Sequence, residues 1–151
     1  MFKHSVFYAL KHTHPLNNAM KSYASLFNTH SFDPHVTIQS NLTKEQAIAM
    51  KNRYLSIERP LFVPHGDAKM TKQRCRSKSG HLDFYAIEQP LKTNGTYVAG
   101  IHTPLAYRIN KPFTPMELAM CKKIAPILST DIFLCIFNCE SETPSEWFRV
   151  K

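Results

Sequence analysis

Two histidines carry the chemistry that is legible in this chain. His35 stands two residues before Thr37 in Pro34-His-Val-Thr-Ile, and His102 precedes Thr103 and Pro104. Residues two apart on a strand share a face, so His35 and Thr37 are expected to present an imidazole and a hydroxyl together. Two such strands facing one another would set two imidazoles around one anion. That is enough for phosphodiester cleavage without a metal. One imidazole takes the proton from an attacking 2′-hydroxyl and the other protonates the leaving 5′-oxygen. The hydroxyls hold the phosphoryl oxygens as charge builds on them. Histidine suits both tasks because its ordinary pKa lies near neutrality. In the second motif Pro104 stands where alternation wants a hydroxyl. Thr103 reaches the same face only if a bulge turns it round, and a proline favours an edge or bulged strand.

The elements that must position these residues can be read from periodicity. Ser5 to Leu10 reads as a strand, and Leu16, Ala19, Met20, Tyr23 and Phe27 have helical spacing. His35 to Leu42 alternates as a strand. Thr43 and Gln46 form a capping box that opens a helix running to about Ile57, with Ala47, Met50, Tyr54 and Ile57 on one face. Lys69, Lys72, Arg74, Arg76 and Lys78 crowd one arm of an expected hairpin, whose return strand is His81 to Glu88. A turn at Asn94-Gly95 leads into a strand from Tyr97 to Ile109. Thr114, Pro115 and Glu117 then give an N-cap, an N1 proline and an N3 acid. Leu118, Cys121, Ile124 and Ala125 form that helix's apolar face, and Ile132 to Phe137 reads as a buried strand. A weak repeat links the halves. Phe7-Tyr-Ala-Leu, a histidine strand and a threonine-capped helix are followed by Phe84-Tyr-Ala-Ile, a second histidine strand and a second threonine-capped helix. The expected fold is α/β, or α+β in stricter usage. Residues 1–151 form one domain of two pseudosymmetric lobes, mostly antiparallel strands flanked by about three helices, with a central cleft.

Composition bounds the function. The chain has 151 residues, 43% of them apolar, which suits one globular domain with a substantial core. Nineteen Lys and Arg against eleven Asp and Glu give a net charge of +8, which suits a polyanionic partner. Four glycines argue against a Gly-rich phosphate loop. No apolar run approaches the length of a membrane span, and the first residues lack a signal-peptide pattern. Cys75, Cys121, Cys135 and Cys139 form no CxxC pair. They read as reduced thiols, which points to the cytosol.

At Ile101-His-Thr-Pro-Leu-Ala-Tyr-Arg the chain resembles the two-histidine (2H) phosphoesterases, whose hallmark is a pair of H-x-[ST] motifs on a bilobal α/β fold. Pro34-His-Val-Thr-Ile-Gln-Ser-Asn-Leu-Thr is similar to their first motif. The stretch from Ile101 through Glu117 to Lys123 is similar to the second, and the resemblance spans essentially the whole chain. Length and opening strand look most like the small phage members, which destroy the cyclic oligonucleotide signals of bacterial CBASS defence. The resemblance implies hydrolysis of 3′–5′ bonds in cyclic di- or trinucleotides, such as 3′,3′-cyclic GMP–AMP and cyclic tri-adenylate. It implies catalytic roles for His35, Thr37 and His102, with Thr103 standing in for the hydroxyl lost at Pro104. It also implies no cofactor or metal, and the cytosol of an infected bacterial host as the place of action.

Tyr8, Tyr107 and Trp147 are candidates to stack on bases, and Arg108 to meet a phosphate. His4, His12 and His14 lack Cys or acidic partners and are read as solvent-exposed rather than as a metal site. His81-Leu-Asp83 falls on the Phe84-Tyr-Ala-Ile strand and is read as structural. The partner is expected to be a cyclic oligonucleotide, with RNA next, and neither a membrane nor an obligate protein. Alternatives are an RNA-processing 2H enzyme acting on 2′–5′ linkages or 2′,3′-cyclic ends, a protein that binds nucleotides or nucleic acid without cleaving them, and an assembly role using the Glu146–Lys151 tail as a docking peptide.

Overall fold

The computed structural model describes residues 2–77, 80–93, 100–143 and 146–150. The expected Asn94-Gly95 turn, the Tyr97–Ala99 start of a strand, Lys78 and Lys151 lie outside the described residues. The order of elements is β1 (His4–Leu10), α1 (Pro15–Leu26), β2 (His35–Leu42), α2 (Lys44–Leu55), β3 (Phe62–Pro64), β4 (Lys69–Ser77), β5 (Gly80–Thr93), β6 (His102–Ile109), α3 (Pro115–Met120), β7 (Ile132–Asn138) and β8 (Phe148–Arg149). The architecture is α+β with two antiparallel sheets. One has the order β2-β1-β7-β8. In the other, β5 is the spine and pairs with β3, β4 and β6. No helix among the described residues is long and apolar enough to cross a membrane.

Each helix starts where its caps dictate. His14 Nδ1 accepts the Leu16 N–H at 3.0 Å and Pro15 fills the first turn of α1. His14 Nε2 donates to the Pro126 carbonyl at 3.1 Å, so this histidine is a buried cap rather than the solvent-exposed residue expected. Capping boxes open α2 at Thr43/Gln46 and α3 at Thr114/Glu117. Both end earlier than their apolar periodicity suggests. Ile57 lies beyond α2 and is 45% exposed. In α3 the Lys122 N–H bonds to the Tyr23 hydroxyl at 3.1 Å instead of continuing the helix. Pro126 also disfavours the helical region for Ala125. Ile124 and Ala125 therefore follow in non-helical chain.

Strand alternation sorts the core. Phe7, Ala9, Cys135 and Phe137 face one way and pack with Cys75, Leu82 and Phe84 of the second sheet. Val6, Leu42 and Ile136 face the other way, with Ala47 of α2. Tyr8 also faces away from Phe7 and is 1% exposed in a cluster with Leu16, Met20, Val36 and Phe62. Tyr8 is therefore a core residue, not a base-stacking platform. The tail folds back as β8 against β7 (Phe137 opposite Arg149), so it is a strand of the protein's own sheet and not a free docking peptide. All four cysteines are thiols. Burial pushes Cys121 and Cys135 up to about 11 and Cys139 up to about 12, which leaves them protonated and inert near neutrality.

Candidate active site

The two sheets face each other across a cleft. Its floor and walls carry Ser5, Phe7, Thr37 and Ser40 from the first sheet. Thr71, Gln73, Phe84, Glu88, His102 and Tyr107 come from the second, with Trp147 beside them; the cavity is about 200 Å³. The register explains the set. On β5, Pro90 pairs with His102 and Glu88 with Pro104, so His102, Pro104 and Glu88 share the cleft face. A bulge follows, because Ile87 then pairs with Ala106. The extra residue lets Tyr107 regain the cleft face opposite Ala86.

His35 lies at the end of this cleft. On β1, Thr37 pairs with Phe7 and His35 with Ala9, which puts His35, Thr37 and Phe7 on one side of the sheet. The His35 ring stacks on Phe7 at 3.9 Å and meets Phe32 edge-on at 5.8 Å. It is 3% exposed. The second cavity at this ring, about 240 Å³, is lined by His12, Asn17, Lys21, Ser31, Phe32 and Asp33, and shares Phe7 and Trp147 with the first. His35 Nδ1 lies 2.7 Å from the Asp33 carbonyl, so it carries the ring proton. Its Nε2 is buried with no hydrogen-bond partner among the described residues. Burial lowers the His35 pKa to about 4, against the Asp33 bond and with help from the nearby His102 charge.

His102 repeats half of this arrangement and differs in the other half. Its Nδ1 lies 2.9 Å from the Gly100 carbonyl, again two residues upstream. Gly100 has φ +82°, a region that favours glycine. His102 Nε2 lies 3.2 Å from Glu88 Oε1. The His35 ring thus keeps a buried, unpartnered Nε2, and the His102 ring has an oxygen at each nitrogen.

Five expected site residues fall on the cleft or its end: His35, Thr37 and His102 do, Tyr107 does through its ring contacts to Phe32 at 4.2 Å and Phe84 at 4.7 Å, and Trp147 does as well. Trp147 is packed against Phe2 at 5.7 Å and Tyr107 at 5.8 Å, with its Nε1–H donated to the Ser141 carbonyl at 2.8 Å. Three candidates are placed elsewhere, Tyr8 being in the core. Thr103 is fully buried on the opposite face and gives its hydroxyl proton to the His35 carbonyl at 2.8 Å, so it fastens the two motif strands together and does not meet a ligand. Arg108 is committed to a two-pronged ion pair with Glu117 at 2.9 and 2.8 Å, to the Phe27 carbonyl, and to the Phe113 ring at 4.5 Å. Its guanidinium is held by these partners, and the side chain lines, with Tyr107, a separate cavity of about 540 Å³.

Sequence reasoning missed Glu88, Thr71, Phe7 and the His12–Lys21 side of His35. The repeated Phe-Tyr-Ala motif held part of the signal, since Phe7 and Phe84 both face the cleft. Reading Phe7 rather than Tyr8 onto that face needed the register between β1 and β2. Among the described residues, no three His, Cys, Asp or Glu side chains group as metal ligands.

The burial of His35 predicts a pH effect on stability. Its folded pKa is depressed from 6.5 to about 4, so on acidification the unfolded chain takes up the proton first. Stability falls as pH drops from about 6.5 to about 4 and levels off below, by on the order of 3 kcal/mol at ~1.4 kcal/mol per pH unit. Urea unfolding of wild type and His35→Phe across this range checks it: the variant should lack that part of the loss. Parallel curves would show that His35 is not held neutral by burial.

Compared with protein-family models, curated proteins and solved structures, the chain matches none of them.

Proposed function

We propose that the protein is a metal-independent phosphodiesterase that cleaves 3′–5′ bonds of cyclic di- or trinucleotides, the class of bacterial defence signal that its 2H-like motifs suggest. The observation that carries this reading is the paired pinning of His35 and His102. Each Nδ1 is fixed by a carbonyl two residues upstream, and the two Nε2 atoms differ in surroundings: that of His35 has no partner among the described residues, and that of His102 faces Glu88 Oε1. That difference assigns the roles. His35 Nε2, the unpartnered nitrogen, takes the proton of the ribose 2′-hydroxyl. The 2′-oxygen bonds to phosphorus, and the P–O5′ bond breaks as His102 Nε2 gives its proton to the leaving oxygen. The products are a 5′-hydroxyl and a 2′,3′-cyclic phosphate, which water can open. Thr37 Oγ1, on the His35 face, is placed to hold a phosphoryl oxygen. Trp147 and Tyr107 offer faces for bases.

A compact nucleotide fits better than a long RNA. On β4, Thr71 and Gln73 line the cleft, and Lys72, Arg74 and Arg76 alternate with them. The basic stripe therefore lies on the outer side of the sheet and does not extend the cleft.

The test is to incubate the protein in EDTA with cyclic di- and trinucleotides and with short linear RNAs, separating products by chromatography and mass. Turnover of the cyclic nucleotides ahead of linear RNA is expected. Preference for linear 2′,3′-cyclic ends would favour the RNA-processing alternative, and binding without turnover would mark a sequestering protein.

A further inference from the structure

The second histidine strand lacks a serine or threonine hydroxyl on the cleft face two residues after its histidine. Pro104 occupies the position, and Thr103 is buried on the other side with its proton on the His35 carbonyl. A neighbouring strand fills the gap. Glu88 pairs with Pro104 across the ladder, and Thr71 of β4 pairs with Ala86, two residues before Glu88 on the same face. Thr71 Oγ1 donates to Glu88 Oε1 at 3.0 Å, and His102 Nε2 lies 3.2 Å from that same oxygen. A hydroxyl and an imidazole nitrogen from two strands thus converge on one carboxylate oxygen, inside the cavity that also holds Thr37. This is the geometry a phosphoryl oxygen would require of them. The carboxylate side chain is 15% exposed, so it sits within the site and not in bulk solvent.

We propose that Thr71 supplies the second phosphate-binding hydroxyl of the cleft, and that Glu88 is an internal stand-in which holds Thr71 and His102 in place and yields them to an incoming phosphate. The anion subsite rests on the geometry alone. That the anion is the scissile phosphodiester rests on the function proposed above. Thr71 then touches the substrate, whereas Glu88 is a positioning residue that keeps the Nε2 proton of His102 aimed into the cleft. Its negative charge also competes with the phosphate for both donors. Removing that charge is expected to tighten anion binding while impairing transfer of the His102 proton. A merely structural carboxylate would do neither.

The probe is inorganic phosphate, titrated into the full chain and followed by the imidazole nitrogen resonances of His102, with no turnover required. Wild type should show saturable shifts. Thr71→Val keeps the branched shape and loses the hydroxyl, and is expected to weaken binding about tenfold, the size of one hydrogen bond to a charged group. Thr71→Ser should restore it. Glu88→Gln should bind phosphate several-fold more tightly. If the cyclic nucleotides are turned over, Thr71→Val should lower kcat with little change in KM, and Glu88→Gln should lower both. Equal phosphate affinity in wild type, Thr71→Val and Glu88→Gln would overturn the proposal, as would phosphate that leaves the His102 resonances unmoved. Because this readout needs no catalysis, failure of the phosphodiesterase reading with intact phosphate binding leaves the subsite standing. Turnover that Thr71→Val leaves unchanged removes the subsite and leaves that reading.

Discussion

Replacing His102 by alanine is expected to lower kcat on a cyclic dinucleotide by about 10²- to 10⁴-fold, the usual worth of a positioned general acid or base. His35→Ala should cost a similar factor. In the proposed mechanism the two act on one event, since proton removal from the 2′-oxygen and proton delivery to the 5′-oxygen flank a single phosphorus. Their effects should therefore not multiply, and the double variant should be little worse than the more severe single one. Thermal melts guard against a trivial cause. His102 has a side chain 34% exposed and should be replaced at little cost in stability, whereas His35 fills a stacked slot between Phe7 and Phe32. His35→Asn or His35→Phe should consequently accompany the alanine variant. Single-turnover rates at saturating substrate, run in EDTA, decide the matter. Equal rates in wild type and His102→Ala would remove His102 from the chemistry.

Arg108→Ala is expected to destabilise the fold by about 2 kcal/mol, between the small worth of an exposed pair and the cost of breaking a fully buried one. The Arg108 and Glu117 side chains are 11% and 19% exposed, and the guanidinium ties β6 to α3 and to the end of α1 through the Phe27 carbonyl. Removing it leaves a half-buried carboxylate and a carbonyl without their partner. Arg108→Lys should rescue little, since one ammonium cannot reproduce a two-pronged pair and a ring contact. The acid limb gives a second signature. Hydrogen bonding to Arg108 holds the Glu117 carboxyl down at about 2, below the ordinary 4.5. The pair's contribution is present above about pH 4.5 and is lost as pH falls toward about 2. Urea unfolding at neutral and acid pH should show that limb in wild type and not in Arg108→Ala. An unchanged unfolding midpoint in the variant would contradict this reading and return Arg108 to the candidates for phosphate contact.

Much of this arrangement was legible in the residues themselves. His35-Val-Thr37 alternates as a strand must, and the structure puts both side chains on the cleft side. Thr43/Gln46 and Thr114/Glu117 mark helix starts because the bonds that make a cap are local. Helix ends were less legible. The end of α3 depends on the Tyr23 hydroxyl, 99 residues away in the chain. The same holds for the site. Tyr8 and Phe7 are adjacent aromatics, and only the pairing with β2 decides which of them meets His35. Arg108 reads as a cation beside a histidine motif until Glu117 and Phe113 close around it. Thr71 and Glu88 lie on β4 and β5, outside either histidine motif, and their meeting with His102 is a product of strand register and a bulge.

The most direct test of the two-imidazole mechanism compares a cyclic dinucleotide bearing ribose with its 2′-deoxyribose counterpart, each incubated with wild-type protein in EDTA. The ribose form should open to a linear isomer of unchanged mass, separable by chromatography, that carries a 2′,3′-cyclic phosphate and later gains one water. The deoxyribose form should survive intact. Cleavage of both at similar rates would contradict attack by the 2′-hydroxyl, and survival of both would contradict the phosphodiesterase itself.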